Sequence, residues 1–285
     1  MNSTKRRLQI ACLQTSPQPD FQTALDQAIS LAEEAATSGA EFIATPEYCG
    51  GLKTEGASFA PPSAPEASHP VLNGLQTFAK DRSKFVLIGS VAIDGPDNKI
   101  FNRSFLIDKE GNIVSRYDKI HLFDINLSEQ QSYRESATVR GGNEAIICQT
   151  PFAKIAQTVC YDLRFPHLYR ELSQSGAEIL LVPAAFTKKT GEAHWHILNR
   201  ARAIENGAFV VAPCAIGKVT GGGASYGHSL IINPWGEILA DGGDQVGVVS
   251  AVIDLDEVAT ARQRIPSLSH DRPFARKENE GLAAE

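Results

Sequence analysis

The sequence lacks any apolar segment long enough to cross a lipid bilayer, and it lacks a secretory signal at its amino end. A membrane-spanning helix needs about 20 apolar residues, whereas the basic residues Lys5, Arg6 and Arg7 are followed only by the short run from Leu8 to Leu13. These absences predict a protein that resides in the cytoplasm and has no membrane partner.

Paired cysteines and basic tracts are also lacking. The five cysteines include no C-x-x-C pair, which is typical of reduced thiols and not of a disulfide framework or a zinc site. Lys and Arg total 27 against 33 Asp and Glu, which gives a net charge of −6. Nucleic acid is therefore not expected as a partner, and small molecules are the expected ligands.

Neither the histidines nor the glycines predict a metal or a cofactor. His194 and His196 are the one closely spaced pair of histidines, and their i, i+2 spacing on a helix turns them to different faces. The run from Gly221 to Gly223 lacks the Lys-Ser/Thr of a phosphate loop, so it is interpreted as a flexible surface turn. The sequence thus predicts no metal site and no cofactor.

Hydrophobic periodicity alternates between strand and helix along the chain. With 285 residues and 42% hydrophobic content, the chain is long enough for one layered domain over residues 1–285, in the order helix, sheet, sheet, helix. The polar tail from about residue 265 is expected either to fray or to lie across a partner subunit. Strands are predicted at 8–13, 41–45, 85–93, 101–108, 113–117, 145–149, 155–159, 179–182, 209–216, 227–233, 237–240 and 246–253, and helices at 20–39, 71–82, 166–175, 192–205 and 254–264.

One cysteine lies where a predicted strand gives way to a helix. The β-branched stretch before it ends at Cys160, and Pro166 opens the next helical segment. A thiol at such a turn projects above the sheet edge, and the N–H groups of a following helix lower its pKa and hold an oxyanion. On this stretch alone, a buried structural cysteine is the preferred interpretation.

Two charged residues occupy comparable positions at strand ends. Glu47 follows the strand 41–45, and Lys119 follows the strand 113–117. Ligands of α/β proteins bind at the carboxyl ends of strands, and the long polar segment 118–142 after Lys119 is of a length that is usually functional. These positions make both residues candidates for a site.

Four segments, in this order along nearly the whole chain, resemble the nitrilase superfamily of carbon-nitrogen hydrolases. They are Thr45-Pro46-Glu47, the run from Tyr117 to Phe123, the stretch around Cys160, and the run from Gly191 to Trp195. Within the superfamily, residues 160–166, 193–195, 224–229 and 233–236 are similar to the Nit branch of omega-amidases and deaminated-glutathione amidases. The resemblance implies a four-layer αββα sandwich with mixed sheets, which pairs through helices into a homodimer or a higher homo-oligomer.

The resemblance also implies a Glu-Lys-Cys triad, carried here by Glu47, Lys119 and Cys160, with Glu135 as a second glutamate. In such chemistry Glu47 moves the protons and Cys160 is the nucleophile. Lys119 and the backbone N–H of Tyr161 hold the oxyanion, and Glu135 orients Lys119 or the substrate nitrogen. The implied reaction cleaves the carboxamide of a small carboxylate-bearing substrate through a thioester, with release of ammonia.

Substrate recognition is expected from residues that flank these segments. A substrate with a carboxylate needs cations nearby, and the chain offers Arg164, Lys188 and Lys189 for that purpose. The charges at Arg202 and Glu205 are interpreted as surface contacts of the helix 192–205. The candidates for substrate binding are Tyr48, Arg164, Phe186 and Thr187, together with the loop 121–140.

Three alternatives stay open. The same triad on a differently shaped pocket would hydrolyse an N-carbamoyl amino acid or a ureido compound. A papain-like pair would use His121 or His167 as the base for Cys160. A protein that keeps the sandwich without turnover would act as an interaction module, although the presence of all three triad residues argues against this.

Overall fold

The computed structural model of the protein describes residues 6–128 and 131–277. None of the helices in these ranges combines the length and the apolar character that a membrane crossing requires. The α-helices are α1 (Phe21–Thr37), α2 (Pro70–Arg82), α3 (Pro166–Gln174), α4 (Lys188–Asn206) and α5 (Asp256–Arg264). The strands are β1 (Arg7–Gln14), β2 (Phe42–Ala44), β3 (Thr54–Glu55), β4 (Ser58–Phe59), β5 (Ser63–Ala64), β6 (Phe85–Asp94), β7 (Ile100–Ile107), β8 (Ile113–Asp118), β9 (Asp124–Ser128), β10 (Gln131–Arg134), β11 (Ile146–Gln149), β12 (Lys154–Gln157), β13 (Ile179–Leu181), β14 (Phe209–Ala212), β15 (Ile216–Lys218), β16 (Ala224–Tyr226), β17 (Leu230–Ile232), β18 (Ile238–Asp241) and β19 (Gly247–Asp254).

Two mixed sheets organise the described residues. The first has the order β19-β1-β2-β6-β7-β8, with β5 beside β6, and the second has the order β11-β12-β13-β14-β17-β18. Parallel pairs lie at the centre of each sheet: β1 with β2 and β2 with β6 in the first, and β12 with β13 and β13 with β14 in the second. The remaining strands pair antiparallel, except β5, which pairs parallel with β6.

The sheets stack face to face, and helices cover both outer faces. Ile10 and Phe42 of the first sheet share one apolar cluster with Ile179 and Phe209 of the second. Helices α1 and α2 pack on the other side of the first sheet, and α3 and α4 pack on the other side of the second. The predicted αββα sandwich with mixed sheets is therefore confirmed.

Strand β13 shows why the central strands read as continuous apolar runs. Ile179 and Leu181 face the first sheet, whereas Leu180 between them faces the helices. Side chains alternate between the two faces of a strand, and a strand buried on both faces must be apolar at every position.

Several boundaries differ from the sequence-based prediction, and local chemistry explains them. The predicted strand 209–216 ends at Ala212 because Pro213, which has no backbone N–H, follows it. Helix α4 begins at Lys188 and not at residue 192, and its first turn has buried Thr190 and Gly191 in place of the apolar residues that reveal a helix. The long segment 118–142 contains the hairpin β9–β10.

The carboxyl-terminal segment lies against its own helix α3. Arg170 and Gln174 both donate hydrogen bonds to the Asp271 carboxylate, and Gln174 Nε2 also donates to the Leu268 carbonyl oxygen at 2.8 Å. Residues 268–271 of the predicted tail therefore contact α3 of their own chain. The final part of the predicted tail, residues 278–285, lies outside the described residues.

Candidate active site

Four predicted residues converge at the ends of strands, three from the two main sheets and one from the hairpin β9–β10. Glu47 follows β2, Lys119 follows β8, Glu135 follows β10 and Cys160 follows β12. The Lys119 ammonium lies 2.9 Å from Oε1 of Glu47 and 2.8 Å from Oε2 of Glu135. Glu47, Lys119 and Cys160 line one pocket, with the fully buried Glu135 behind them.

Glu47 is held as a carboxylate by three donors. Its Oε1 accepts hydrogen bonds from Lys119 Nζ and Asn102 Nδ2, both at 2.9 Å, and its Oε2 accepts one from the backbone N–H of Ala185 at 2.9 Å. Burial alone would raise the pKa of this carboxyl. The Lys119 charge and the hydrogen bonds outweigh burial, so the pKa of Glu47 lies below its ordinary value.

Lys119 is an ammonium between two carboxylates. Burial alone would lower its pKa, but Glu135 and Glu47 outweigh burial and hold the pKa of Lys119 well above its ordinary value. A lysine with a raised pKa does not act as a base near neutral pH. Its Nζ is suited to donate hydrogen bonds to a developing negative charge in the pocket.

Cys160 occupies a strained turn. Its φ is +48°, in the left-handed region that non-glycine residues seldom adopt, and its N–H is tied to the carbonyl oxygen of Pro183 at 2.9 Å. Cys160 is also the first residue of the short 3₁₀ helix Cys160–Arg164. The next N–H group, that of Tyr161, has no acceptor among residues 6–128 and 131–277 and remains available as a donor.

The thiol is protonated at rest, which differs from the sequence-based expectation of a lowered pKa. Burial and the neighbouring Glu47 carboxylate raise the pKa of the Cys160 thiol well above its ordinary value, and Lys119 offsets them only in part. A short 3₁₀ helix offers too small a dipole to reverse these effects. The resting pair is therefore a thiol beside a carboxylate.

Glu135 has its oxygens engaged away from the pocket. It accepts hydrogen bonds from Lys119, from Asn102 Nδ2 at 3.1 Å, from the N–H of Phe123 at 2.6 Å and from the Tyr48 hydroxyl at 3.3 Å. The structure therefore does not bring Tyr48 to the pocket wall as a substrate-binding residue. Tyr48 lies behind Glu135 and helps to hold it.

Asn102 is a site residue that the sequence reasoning missed. Its amide nitrogen donates to both Glu47 and Glu135, and its side chain is buried. The residue lies in β7, in the polar run Asn102-Arg103-Ser104 between apolar residues, and outside the four segments of the resemblance. One signal in the sequence could have identified it. A polar side chain at an inward-facing position of a strand must form hydrogen bonds with other buried polar groups.

Asp162 is the second residue that was missed, although it lies within the segment around Cys160. Its buried carboxylate accepts hydrogen bonds from the Tyr117 hydroxyl at 2.6 Å, from the N–H of Val159 at 2.8 Å and from the N–H of His121 at 3.0 Å. One carboxylate thus connects the turn that carries Cys160 to the loop that carries Lys119.

The pocket has an aromatic wall, and the outer cleft beside it is wider. The pocket has a cavity volume of about 30 Å³, and the cleft has a volume of about 370 Å³. The exposed side chains of Lys188 and Lys189 border the cleft. The pocket is lined by Glu47, Leu52, Thr54, Phe59, Lys119, Phe123, Tyr133, Cys160, Tyr161, Ala185, Phe186, Thr187, Thr190, Val219, Gly222, Gly223, Ala224 and Ser225.

The candidate residues for substrate binding separate into two groups. Phe186 and Thr187 line the pocket, as predicted, whereas Arg164 does not. The Arg164 guanidinium lies 5.9 Å from the ring centre of Tyr161 and 5.4 Å from that of Phe186, so it supports the wall from behind.

The glycine run is an exposed turn, as predicted, and it also forms part of this wall. The carbonyl oxygen of Gly222 accepts a hydrogen bond from Thr54 Oγ1 at 3.1 Å. Gly221 has a φ of +95°, and a Cβ atom there would lie 1.8 Å from the carbonyl oxygen of Thr54. Only glycine fits at this position, because two segments of backbone meet there.

Two further expectations need correction. Arg202 is buried and not a surface charge, because its guanidinium donates two hydrogen bonds to the carbonyl oxygen of Leu163, next to the Cys160 turn. His121 stacks on Phe165 and contacts Asp162, and neither His121 nor His167 lines the pocket. The geometry thus favours Glu47 over histidine as the base.

Comparisons with known proteins show which family the chain resembles. The carbon-nitrogen hydrolase family model matches residues 9–263. A deaminated glutathione amidase from Synechocystis is 38% identical over 264 residues, which cover 91% of this chain and 96% of the relative. Human omega-amidase NIT2 is 33% identical over 246 residues, which cover 86% of this chain and 88% of that protein.

Solved structures of related proteins have the same fold as this chain. The Caenorhabditis elegans NitFhit protein superposes with a TM-score of 0.85 at 30% identity, covering 93% of this chain and 65% of that longer chain. Nit3 from Saccharomyces cerevisiae, a member of the nitrilase superfamily, superposes with a TM-score of 0.82 at 26% identity, covering 94% and 97%.

Proposed function

Because the chain belongs to the carbon-nitrogen hydrolase family, in the Nit branch of the nitrilase superfamily, we propose that it is a cysteine-dependent amidase for small carboxylate-bearing substrates. The family makes it a hydrolase of carbon-nitrogen bonds other than peptide bonds. The observation that carries the proposal is the contact of Lys119 with both Glu47 and Glu135 beside the Cys160 thiol.

In the proposed first step, the Cys160 sulfur attacks the carbonyl carbon while its proton passes to Glu47. The paired protonation states suit this order, because the thiol is neutral and the carboxylate is ionised before substrate arrives. The carbonyl oxygen becomes negative beside the Lys119 ammonium and the N–H of Tyr161. These donors stabilise the tetrahedral intermediate.

In the steps that follow, Glu47 acts first as an acid and then as a base. It returns its proton to the departing nitrogen, so the carbon-nitrogen bond breaks and a thioester remains on Cys160. It then takes a proton from a water molecule that attacks the thioester. The intermediate expels the sulfur, Cys160 recovers its proton from Glu47, and the carboxylic acid product leaves.

The shape and charge of the pocket support acidic amide substrates. The narrow, aromatic inner part accommodates the amide end, and Lys188 and Lys189 border the wider cleft, where an acidic remainder would extend. Neither lysine forms a salt bridge within the described part of the chain. Each is therefore available to a substrate carboxylate.

Two substrate types fit this arrangement and differ in their leaving group. A primary omega-amide of a dicarboxylic or 2-oxo acid would release ammonia. Deaminated glutathione is a substituted amide, so its cleavage would release an amine in place of the ammonia expected from the sequence. Deaminated glutathione has two carboxylates and the outer cleft has two lysines, which favours deaminated glutathione over a substrate with one carboxylate.

A substrate panel tests the proposal. Ammonia would be measured for omega-amides, the released thiol-containing amine for deaminated glutathione, and both the amino acid and ammonia for N-carbamoyl amino acids. We expect the highest kcat/KM among the acidic amides and no turnover by the Cys160→Ala variant, which removes the nucleophile and little volume. A preference for N-carbamoyl compounds, or turnover by that variant, would contradict the proposal.

The two lysines provide a sharper test of substrate class. A Lys188→Gln/Lys189→Gln variant should raise KM for deaminated glutathione several-fold and leave KM for an uncharged amide unchanged, because both side chains lie outside the reacting pocket. An equal effect on both substrates would show that the lysines do not bind the carboxylates.

We also propose that residues 1–285 form one cytoplasmic domain that associates as a homodimer through α3 and α4. The free state of all five cysteines supports the compartment. Ile197 and Ile204 on α4 are 68% and 52% exposed, and a two-fold contact would cover them. Light scattering should give twice the chain mass, and Ile197→Glu should shift it toward the monomer. A wild-type monomer at micromolar concentration would contradict the dimer.

A further inference from the structure

A second cluster of polar side chains lies outside the pocket at Cys160. It comprises His196 of α4, His228 between β16 and β17, and Asp241 at the end of β18. His196 Nε2 lies 3.0 Å from Oδ2 of Asp241, and His228 Nδ1 lies 2.8 Å from Oδ1 of Asp241. None of the three residues lines the pocket, so the proposed amidase reaction does not account for them.

The backbone of His228 is fixed in an unusual conformation. Its φ is +52°, in the left-handed region, which costs energy for a residue with a side chain. Its N–H donates to the carbonyl oxygen of Gly243 at 2.8 Å, and its carbonyl oxygen accepts from the Trp195 indole at 2.7 Å. The imidazole also stacks on the Tyr226 ring, with centroids 4.6 Å apart. His228 is therefore held in place before any ligand binds.

We propose that His196, His228 and Asp241 form a binding site for a divalent transition-metal ion of the zinc class. Their three ligand atoms all lie within 4.8 Å of one another. A tetrahedral ion with bonds of about 2.1 Å separates its ligand atoms by about 3.4 Å. The observed separations therefore need only small side-chain adjustments, which His196 and Asp241 can make around the fixed His228, since all three side chains are about one third exposed.

The donor set selects the class of ion. Two imidazole nitrogens and one carboxylate oxygen suit zinc, nickel or copper, whereas magnesium and calcium require mostly oxygen ligands. Three protein ligands leave a position open to water. An anionic carboxylate on a protein of net charge −6 also favours a cation.

A bound ion would join three separate elements. Asp241 ends an edge strand of the second sheet, and His196 belongs to the helix that covers this sheet. An ion that binds the folded state and not the unfolded chain stabilises the fold by an amount that rises with the logarithm of its concentration relative to its Kd. The site is thus expected to stabilise the packing of α4 on the second sheet without taking part in amide hydrolysis.

Zinc titration of the Cys160→Ala protein tests this proposal, because that background removes the pocket thiol as a competing ligand. Calorimetry should give one ion per chain. His196→Ala and Asp241→Asn should each weaken binding at least tenfold, and His194→Ala, an exposed histidine on the same helix, should leave binding unchanged. Zinc should raise the Tm of the parent protein and of His194→Ala, but not that of His196→Ala.

Cobalt provides an independent readout. Nitrogen and oxygen ligation should give visible d-d absorption without a sulfur-to-cobalt charge-transfer band. No binding, equal binding by His196→Ala and the parent protein, a sulfur band, or one ion per two chains would each overturn the proposed site.

Discussion

The ammonium nitrogen of Lys119 lies 2.9 Å from Oε1 of Glu47, and both side chains are shielded from solvent. The contact holds Glu47 as a carboxylate and Lys119 as an ammonium in the same buried space. Removing one member of a buried ion pair leaves the other charge uncompensated. Conservative substitutions that keep the shape of the site are therefore the informative ones.

Glu47→Gln should lower kcat by about a hundredfold or more, because the amide keeps the shape of the carboxylate and cannot carry a proton. His121→Ala and His167→Ala serve as the comparison, since a papain-like mechanism would need one of them as a base. Steady-state kinetics on the best amide substrate measures all three variants. Full activity in Glu47→Gln together with a dead histidine variant would reverse the assignment of the base.

Asp162→Asn should lower kcat about tenfold or more and leave KM within about threefold, because small displacements of reacting groups are costly. In the Asp162→Asn variant the NH₂ group would face an N–H donor such as that of Val159 or His121, so the hydrogen bond at that position would be lost. Tyr117→Phe removes one donor only and should have a smaller effect.

A double-mutant cycle separates positioning from a loss of folding. If Asp162 acts partly through Tyr117, the combined loss in the double variant should be smaller than the sum of the single losses. Strictly additive effects, or an Asp162→Asn loss confined to KM, would contradict a positioning role.

The pH profile of kcat/KM should be flat through neutrality. The pKa of Glu47 is lowered on folding, so Glu47 is already a carboxylate at neutral pH. Its ionisation also adds to the free energy of unfolding above about pH 4.3, and this contribution to stability is lost as pH falls through the lowered pKa. The pKa values of Cys160 and Lys119 are raised, so no alkaline loss is expected near about pH 8.5. An inflection between about pH 6 and 7 would instead indicate a histidine in the reaction.

Iodoacetamide should inactivate the enzyme, and EDTA should leave kcat unchanged. Cys160 lines the pocket and is reached through it, and the pocket lining contains no histidine that could hold a metal. Cys148→Ala is the matched control for alkylation, because Cys148 is intermediate in exposure whereas the other four cysteines are buried. Loss of activity with EDTA and its recovery with zinc would point to a catalytic metal.

Carboxamides should be cleaved far better than the matching nitriles. Attack on an amide creates an oxyanion for Lys119 and the Tyr161 N–H, whereas attack on a nitrile creates a nitrogen anion with another geometry. True nitrilases resemble one another in a Cys-Trp-Glu sequence, and this chain has Cys160-Tyr161-Asp162. Comparing kcat/KM for an omega-amide acid and its nitrile measures the preference, and a preference for the nitrile would contradict it.

Elements with a strong local signal were predictable from the sequence. The helix predicted at 20–39 is observed as α1, and Oδ1 of Asp20 accepts the N–H of Thr23 at 2.9 Å at its start. The doubly buried strands were visible as apolar runs, and the strand ends located Glu47, Lys119 and Cys160. Such signals arise from contacts between near neighbours, which periodicity and capping record.

The amino-acid sequence by itself therefore determined the layers of the fold and the residue types at its strand ends. The tertiary structure decided which side chains meet. Asn102 bridges Glu47 and Glu135, and the cluster of His196 and Asp241 joins residues 45 positions apart. Burial beside Glu47 also decided the pKa of the Cys160 thiol. Charge interactions and hydrogen bonds depend on distance in space, and a local pattern along the chain does not encode that distance.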